Sequence, residues 1–213
     1  MKLHLGCGQK YLDGYVNIDY PITEHSVQKE IKVDKHANIK EISYPSSTIQ
    51  EVRLHHVFEH FNRPEAFALI CSWSNWLKDD GILHIEVPDF FRTSLSIISP
   101  FSSMNTKLVG IRHLFGSHEA HWAYHFEGYS AHTLRHILNV YGFEVQSIIK
   151  SSWKKTYNIE VIARKKVAQN NFPEVAAKTI NLFNEYLLDP SEKDLADYWM
   201  NLFEIQFQKS FPH

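Results

Sequence analysis

Short runs in which apolar and polar residues alternate recur along the chain, and most of them end at a glycine turn or an acidic residue. The first run, Lys2 to Leu5, leads into Gly6-Cys7-Gly8, and the second, Tyr15 to Asp19, ends on a carboxylate. A side-chain period of two is typical of a β-strand with one buried face. By the same pattern we predict five further strands, at residues 30–34, 52–57, 82–87, 143–149 and 157–164.

Two helices are predicted between these strands. Asn62 is a suitable N-cap for a helix over residues 63–78, which Gly81 closes. Ser130 is placed to cap a second helix that runs to Tyr141. Strands that alternate with helices predict an α/β layered sheet, whose ligand binds beyond the carboxyl ends of the strands.

The end of the chain follows a different pattern. The predicted turn at residues 150–156 is too short for a parallel crossover, so the last two strands should pair antiparallel. A polar linker and two amphipathic helices, at residues 173–188 and 190–207, come next. We therefore divide the chain into an α/β domain, residues 1–165, and a linker with a helical extension, residues 166–213. The extension is expected to pack on its own domain or to join two chains as a homodimer.

The stretch from residue 90 to residue 129 has no clear period and is rich in serine, histidine and aromatic residues. It is longer than a plain connection, so we interpret it as a lid-like insertion. His121 and His125 have the spacing of one helical face. A metalloprotease motif needs two residues between its glutamate and second histidine, but only one separates Glu119 from His121. We assign no metal ion here, and either acceptor binding or loop packing explains these histidines.

Charge and cysteine content narrow the function classes. The chain has 22 basic and 24 acidic residues and a formal net charge of -2, so we expect neither nucleic acid nor a membrane as a partner. Cys7 and Cys71 do not make a disulfide framework, and the first residues lack the apolar stretch of a secretory signal. No apolar run has the length that spans a bilayer. We therefore expect a cytoplasmic protein.

Glycines and acidic residues follow the first three predicted strands. Gly6-Cys7-Gly8 lets a ligand approach the main chain. Asp19 is placed to accept hydrogen bonds from a ribose diol, and Asp34 from the exocyclic amine of a base. Together these residues predict an adenosine site. A nicotinamide cofactor is disfavoured, because Tyr11 stands where its fingerprint needs a third glycine and because Asp19 comes too early.

Five motifs occur in a fixed order over roughly residues 2 to 164. They are Leu3-His4-Leu5-Gly6-Cys7-Gly8, Gly14-Tyr15-Val16-Asn17-Ile18-Asp19, His55-His56-Val57-Phe58-Glu59-His60-Phe61, Trp76-Leu77-Lys78-Asp79-Asp80-Gly81-Ile82-Leu83 with Ile85-Glu86-Val87-Pro88-Asp89, and Gly128-Tyr129-Ser130 with Leu134 and Gly142-Phe143. In this order they resemble the class I S-adenosylmethionine-dependent methyltransferases. The match is best to the small type-11-like group, often found near polysaccharide and cell-surface synthesis genes.

The resemblance implies a Rossmann-like three-layer sandwich with a seven-stranded, mostly parallel sheet whose last strand is antiparallel. It implies S-adenosylmethionine as the cofactor, with Gly6, Cys7 and Gly8 against its methionine portion. By the same resemblance Asp19 holds the ribose and Asp34 lies by the adenine. His56 matches the position that borders the sulfonium and the acceptor pocket.

Methyl transfer from a sulfonium mainly requires alignment of donor and acceptor, and a base is a secondary contribution. The candidates for catalysis are His56, Asp89, His118, His121 and His125. Side chains alternate along a strand, so His55 and His56 are expected to point to opposite faces and not to line the site together. The leading hypothesis is a methyltransferase for a small-molecule or sugar-like acceptor. The alternative is a non-catalytic relative that acts as a binding or scaffold protein.

Overall fold

The computed structural model describes residues 1–21, 23 and 31–211. One sheet lies at its centre, with strands β1 (Lys2–Leu5), β2 (Val16–Asp19), β3 (Lys35–His36), β4 (Ile49–His55), β5 (Leu77–Pro88), β6 (Phe143–Trp153) and β7 (Thr156–Lys165). Their order across the sheet is β3-β2-β1-β4-β5-β7-β6. The first five strands pair in parallel, and β7 lies antiparallel between β5 and β6. The predicted α/β fold with a reversed last strand is confirmed.

The described residues also form helices α1 (Arg63–Trp76), α2 (Phe90–Ile98), α3 (Met104–Phe115), α4 (Ala131–Val140), α5 (Phe172–Asn184) and α6 (Lys193–Ser210). Both predicted N-caps are confirmed. The Asn62 side chain accepts a hydrogen bond from the amide of Glu65, and Ser130 accepts one from Thr133. These bonds satisfy amide groups that the first turn of a helix leaves unpaired.

The third strand was predicted in the wrong place. Residues 31–34 form no strand, residue 30 lies outside the described residues, and the paired segment is only Lys35–His36. This short strand pairs with β2 alone, at the edge of the sheet, and both of its side chains are exposed. Exposure removes the apolar alternation by which strands are predicted. Asp34 therefore precedes β3 instead of ending it.

Contrary to the prediction, Gly81 does not close the first helix. α1 ends at Trp76, because the buried Leu77 already has an extended backbone and pairs with Ile49 of β4. Gly81 lies inside β5, where an added Cβ would come within 2.8 Å of the Lys78 carbonyl oxygen. A glycine at this position therefore permits a close approach of the backbone within a strand.

The stretch from residue 90 to residue 129 is not irregular as predicted, because its first two thirds form α2 and α3. Asp89 caps α2 by accepting a hydrogen bond from Arg92, and Ser103 caps α3 in the same way through Thr106. Large apolar side chains of these helices, among them Phe91 and Ile98, are exposed. Within this stretch, the short connection at residues 99–103 and the longer segment at residues 116–129 lack a helix. Sequence periodicity predicts a helix from an apolar face that packs on the core. Neither α2 nor α3 buries such a face, so the sequence did not predict them.

The C-terminal helices pack against the α/β domain and share its core. Phe183 of α5 stacks on Phe67 of α1 with ring centroids 5.5 Å apart, and Phe203 of α6 is fully buried. The Arg63 guanidinium lies 3.7 Å from the ring centroid of Tyr186 and 4.8 Å from that of Trp199. Among the described residues, no helix combines the length and the apolar character needed to cross a bilayer.

Candidate functional site: two adjoining cavities at the strand ends

A cavity of about 890 Å³ lies beyond the carboxyl ends of β1, β2 and β4. Its walls are residues 6–10, 19–20, 37–40, 55–57, 60–62, 65, 121–122 and 126. Ligands of open α/β sheets bind at this edge, and the volume is in the range of small-molecule sites, roughly 300–1,000 Å³. We call it the first cavity.

The glycine turn after β1 forms the floor of the first cavity. Gly6 has a φ of +66° and Gly8 a φ of +52°, both in the left-handed region that favours glycine. A Cβ on Gly6 would lie 2.3 Å from Cγ2 of Val57, so no side chain fits there. Cys7 also lines the cavity, and burial raises the pKa of its thiol to about 12. The thiol is therefore neutral and unreactive at physiological pH.

Asp19 at the end of β2 lines the first cavity and is almost fully buried. Its Oδ2 accepts a hydrogen bond of 2.5 Å from the Gly8 amide, and its Oδ1 accepts one of 2.7 Å from the Tyr20 amide. These bonds fix the carboxylate between the glycine turn and β2. A carboxylate oxygen has two lone pairs and can accept more than one hydrogen bond.

Asp34 lies outside both cavities described here. Its carboxylate accepts hydrogen bonds from the Asn17 amide at 2.8 Å and the Tyr11 hydroxyl at 2.9 Å. These bonds, and one from the Asn17 side chain, keep its pKa below the usual range. The wall next to Asp19 is instead built by residues 37–40, which follow β3. The predicted place of Asp34 by a base is not supported, because the strand that should carry it begins one residue later.

His55 and His56 both line the first cavity, contrary to the expectation that they point to opposite faces. β4 ends at His55, and His56 has a φ of +55°, so the alternation of the strand stops between them. Their ring centroids are 5.0 Å apart. A non-glycine residue in the left-handed region is uncommon and is often found at functional sites.

Two glutamates hold this histidine pair. His55 Nε2 lies 3.1 Å from Glu86 Oε2, and His56 Nδ1 lies 3.2 Å from Glu59 Oε1. Burial opposes the protonation of His56, but its hydrogen bond and charge interaction with Glu59, together with the charge of Glu86, raise its pKa above the ordinary value. Burial also acts to raise the pKa of Glu86, but the hydrogen bond and charge of His55 outweigh it and hold that pKa at about 2.

A second cavity, of about 640 Å³, adjoins the first. His55, His56, His60 and Trp122 line both cavities. The second cavity is otherwise lined by residues 86, 112–113, 116–117, 123, 125, 151–153, 156 and 158. Burial lowers the pKa of His125 to about 4 and also lowers the pKa of His113. The two cavities thus meet at the end of β4, with a histidine-rich junction.

The remaining predicted residues are separated by the fold. His121 lines the first cavity and His125 the second, and since residues 116–129 form no helix, the two share no helical face. His118 lies outside both cavities and stacks on Tyr124 with ring centroids 4.5 Å apart.

Asp89 also lies outside both cavities, because its buried carboxylate caps α2 and forms a 2.5 Å ion pair with Arg92. Asp89 is thereby placed as a structural residue.

The junction includes residues that the sequence analysis did not select. Glu86 was overlooked, although an acidic residue between Ile85 and Val87 in a central strand is a signal for a buried charge partner. Glu59 was not selected either, and it lies in a 3-10 turn over Phe58–His60. Trp122 carried no sequence signal, because only the path of residues 116–129 brings it to the strand ends.

No protein-family model and no curated protein match the chain. A solved S-adenosylmethionine-dependent methyltransferase from Mesorhizobium loti is similar, with a TM-score of 0.54 and 10% identity over 77% of this chain and 90% of that one. A 1,6-didemethyltoxoflavin N1-methyltransferase from Burkholderia thailandensis, with S-adenosylhomocysteine bound, has a TM-score of 0.52 and 12% identity over 78% and 71%.

A third solved structure, an S-adenosylmethionine-dependent methyltransferase from Methanosarcina mazei, has a TM-score of 0.51 and 13% identity over 78% of this chain and 92% of that one. At such low identity a structural match establishes the fold and leaves the function to the site residues. The strand order and these matches agree with the resemblance found in the sequence. The chain therefore has the fold of the class I S-adenosylmethionine-dependent methyltransferases.

Proposed function

We propose that the protein is a methyltransferase that uses S-adenosylmethionine to methylate a small-molecule acceptor. The observation that carries the proposal is the pair of adjoining cavities, which meet at His55 and His56 at the end of β4. One cavity suits a nucleoside cofactor and the other a second reactant. A transfer reaction needs this arrangement, because donor and acceptor must be aligned in one site.

The first cavity has the features that the cofactor requires. Gly6 and Gly8 leave the main chain open to its methionine portion, and the buried Asp19 carboxylate in the cavity wall is the group we assign to the ribose hydroxyls. Asn38 and Ile39, in the wall beyond Asp19, are the residues we assign to the adenine in place of Asp34. The neutral Cys7 thiol presents no competing nucleophile to an electrophilic methyl group.

The second cavity supports a polar, sugar-like acceptor. Ser151, Ser152, Thr156 and Asn158 line it with hydroxyl and amide groups, and Trp153 adds an aromatic surface. Such side chains form the directional hydrogen bonds that orient an acceptor. A role in polysaccharide or cell-surface synthesis, and membership of the type-11-like group, remain predictions from the sequence resemblance.

The cofactor supplies a methyl group on a positively charged sulfur that leaves as a neutral thioether. When it takes up the methyl group, a hydroxyl acceptor would have to lose its proton. We assign its removal to His56, which lies at the junction and whose Nδ1 is held by Glu59. Glu59 fixes the ring through Nδ1 and leaves Nε2, which lies 3.9 Å from Glu86 Oε1, to take up the proton. A base in this position typically contributes about 10² to 10⁴ in rate.

Calorimetric titration with S-adenosylmethionine, S-adenosylhomocysteine and NAD tests the proposal. We expect binding of the first two and none of NAD. Asp19→Ala should weaken binding by more than about tenfold, or 1.4 kcal/mol, because it removes the ribose acceptor. Asp13→Ala is the matched control, since this exposed acidic residue follows the same glycine turn but lies outside the cavity.

An unchanged affinity in a folded Asp19→Ala variant would contradict the assignment of the ribose. No binding of any of the three ligands would favour the alternative of a non-catalytic scaffold protein. Binding of the cofactor justifies a screen of sugars and sugar nucleotides for methyl transfer. Among site variants, His56→Ala should lower turnover more than it lowers cofactor affinity.

A homodimer through the C-terminal helices stays a prediction. The buried side chains of α5 and α6, including Phe183 and Phe203, already pack within their own chain. The same holds for the expected cytoplasmic location, which rests on the sequence alone.

A further inference from the structure

We propose that Glu59, His60 and His125 form a binding site for a divalent first-row transition metal ion, with Zn²⁺ as the preferred occupant. One ligand atom from each of the three side chains lies within 4.8 Å of the others. Two imidazole nitrogens and a carboxylate are a ligand set that suits Zn²⁺. The site does not depend on the proposed transfer reaction, and neither motif analysis nor the comparisons point to it.

The spacing of the ligand atoms is close to what a metal ion requires. Bonds of about 2.1 Å in tetrahedral geometry separate neighbouring ligand atoms by about 3.4 Å. His125 Nε2 lies 3.9 Å from Glu59 Oε1, and the ring centroids of His60 and His125 are 4.6 Å apart. The three ligand atoms lie somewhat farther apart than in a bound site, so metal binding requires the side chains of Glu59, His60 and His125 to move together.

Glu59 provides an independent indication of a ligand. Its side chain is only 1% exposed, and among the described residues its Oε2 has no hydrogen-bond partner. A buried carboxylate oxygen without a partner is costly and calls for a compensating ligand. A cation held by both carboxylate oxygens removes that cost, since Oε1 lies 3.9 Å from His125 Nε2. Its other oxygen already contacts His56, so Glu59 would connect the metal ion to the junction of the cavities.

The surroundings of His60 select the nitrogen that faces the metal. Its Nδ1 lies 3.0 Å from the carbonyl oxygen of Tyr124 and donates a hydrogen bond to it. The proton is thereby fixed on Nδ1, and the lone pair is left on Nε2. Histidine ligands of metal ions commonly donate their second ring nitrogen to a backbone carbonyl in this way.

The site would join two parts of the chain that are distant in sequence. Glu59 and His60 belong to the turn after β4, whereas His125 belongs to residues 116–129. Backbone hydrogen bonds from the Phe126 and Glu127 amides to the Glu59 carbonyl already tie these segments together. A metal ion would add to this link and hold residues 116–129 against the strand ends. Because His60 and His125 line the second cavity, a free coordination position would face the acceptor.

A rival cluster lies nearby. His55, His56 and Glu86 also place ligand atoms within 4.8 Å of one another. In this cluster, however, both Glu86 oxygens already lie near a histidine, with Oε2 at 3.1 Å from His55 and Oε1 at 3.9 Å from His56. These ion pairs account for the cluster without a metal ion, whereas the Glu59 oxygen remains unexplained. Substitution of His55 therefore separates the two sites.

The test is a calorimetric titration of ZnCl₂ into the full chain, first stripped of metal by dialysis against a chelator and with no cofactor present. We expect one equivalent of Zn²⁺ to bind, and Co²⁺ in its place to show the visible bands of a four-coordinate ion. His125→Ala and His60→Ala should each weaken binding by more than the roughly 10- to 100-fold that loss of an outer partner costs. His118→Ala, in the same segment but outside the cluster, and His55→Ala should leave binding unchanged.

Circular dichroism of each metal-free variant checks that it folds, and His60→Gln and His125→Gln replace any alanine variant that does not. Wild-type protein that takes up no Zn²⁺ overturns the assignment. Uptake that survives both His60 and His125 substitutions also overturns it. Uptake that is lost in His55→Ala places the ion in the rival cluster and refutes the site proposed here. Since the titration contains no cofactor, its result is independent of S-adenosylmethionine binding.

Discussion

Replacement of Gly6 by alanine tests whether the glycine turn is shaped by close packing and not only by backbone conformation. Gly6 has a φ of +66°, which costs an L-residue about 1–2 kcal/mol. Its added Cβ would also lie 2.3 Å from Cγ2 of Val57. Overpacking of this kind typically costs about 1–3 kcal/mol. The Gly6→Ala variant should therefore lose about 2–5 kcal/mol of unfolding free energy.

Gly14 is the matched control for this experiment. It has a φ of +82°, but nothing lies within 4 Å of its added Cβ. Gly14→Ala should therefore show the backbone cost alone, about 1–2 kcal/mol. Urea denaturation followed by circular dichroism measures both variants, and the slope of the transition shows whether the unfolded state has changed.

A double-mutant cycle with Val57→Ala isolates the steric contribution. Removal of the Val57 methyl groups creates room for the new Cβ, so Gly6→Ala should cost less in the Val57→Ala background, by about 1–3 kcal/mol. Equal losses for Gly6→Ala and Gly14→Ala, or a cycle without coupling, would refute the reasoning. Either result would mean that β1 and β4 separate easily at this edge and that the turn is less rigid than the structure indicates.

Three further predictions concern stability. Burial lowers the pKa of His4 from 6.5 to about 4. As the pH falls, the unfolded state therefore takes up a proton first, and the free energy of unfolding should be about 2 kcal/mol lower at pH 5 than at neutral pH. In a series of urea transitions at different pH values, His4→Gln should remove this decrease. Asn62→Ala removes the cap of α1 and should cost about 1 kcal/mol in the same assay; no loss would show that the cap is dispensable. Phe203→Ala, in the buried interface of α6, should lower the free energy of unfolding by about 3–5 kcal/mol. Phe101→Ala, at a 97% exposed position, should have no effect. Equal melting temperatures of these two variants would mean that α6 is not part of the core.

Local signals predicted much of the fold. Asn62 and Ser130 act as N-caps because a side-chain oxygen near the start of a helix satisfies free amide groups, whatever the rest of the chain does. The antiparallel pairing of β6 and β7 follows from a short connection, which becomes the two residues Lys154 and Lys155 between the strands. Predictions failed where tertiary contacts decide. The edge strand β3 and the end of α1 at Trp76 depend on strand partners that lie elsewhere in the chain.

The candidate site divides in the same way. Gly6, Gly8 and Asp19 were found from the sequence because they stand at the end of a strand or in the turn after it, and the structure places all three in the first cavity. Asp34 and Asp89 also stand near strand ends, yet their carboxylates are engaged by Asn17 and Arg92. Position along the chain does not reveal which partner an acidic side chain will find.

By itself the sequence determined the alternation of strands and helices, the glycine turn and the acidic residue after the second strand. These features depend on neighbouring residues, so they can be read from local pattern. Only the tertiary structure decided that His55 and His56 act as a pair, that Glu59 and Glu86 hold them, and that His60 meets His125. Those relations join residues that are up to 65 positions apart, and they arise from a left-handed residue after β4 and from the path of residues 116–129. Side chains distant in sequence are brought together by packing of the whole chain, which no local pattern encodes.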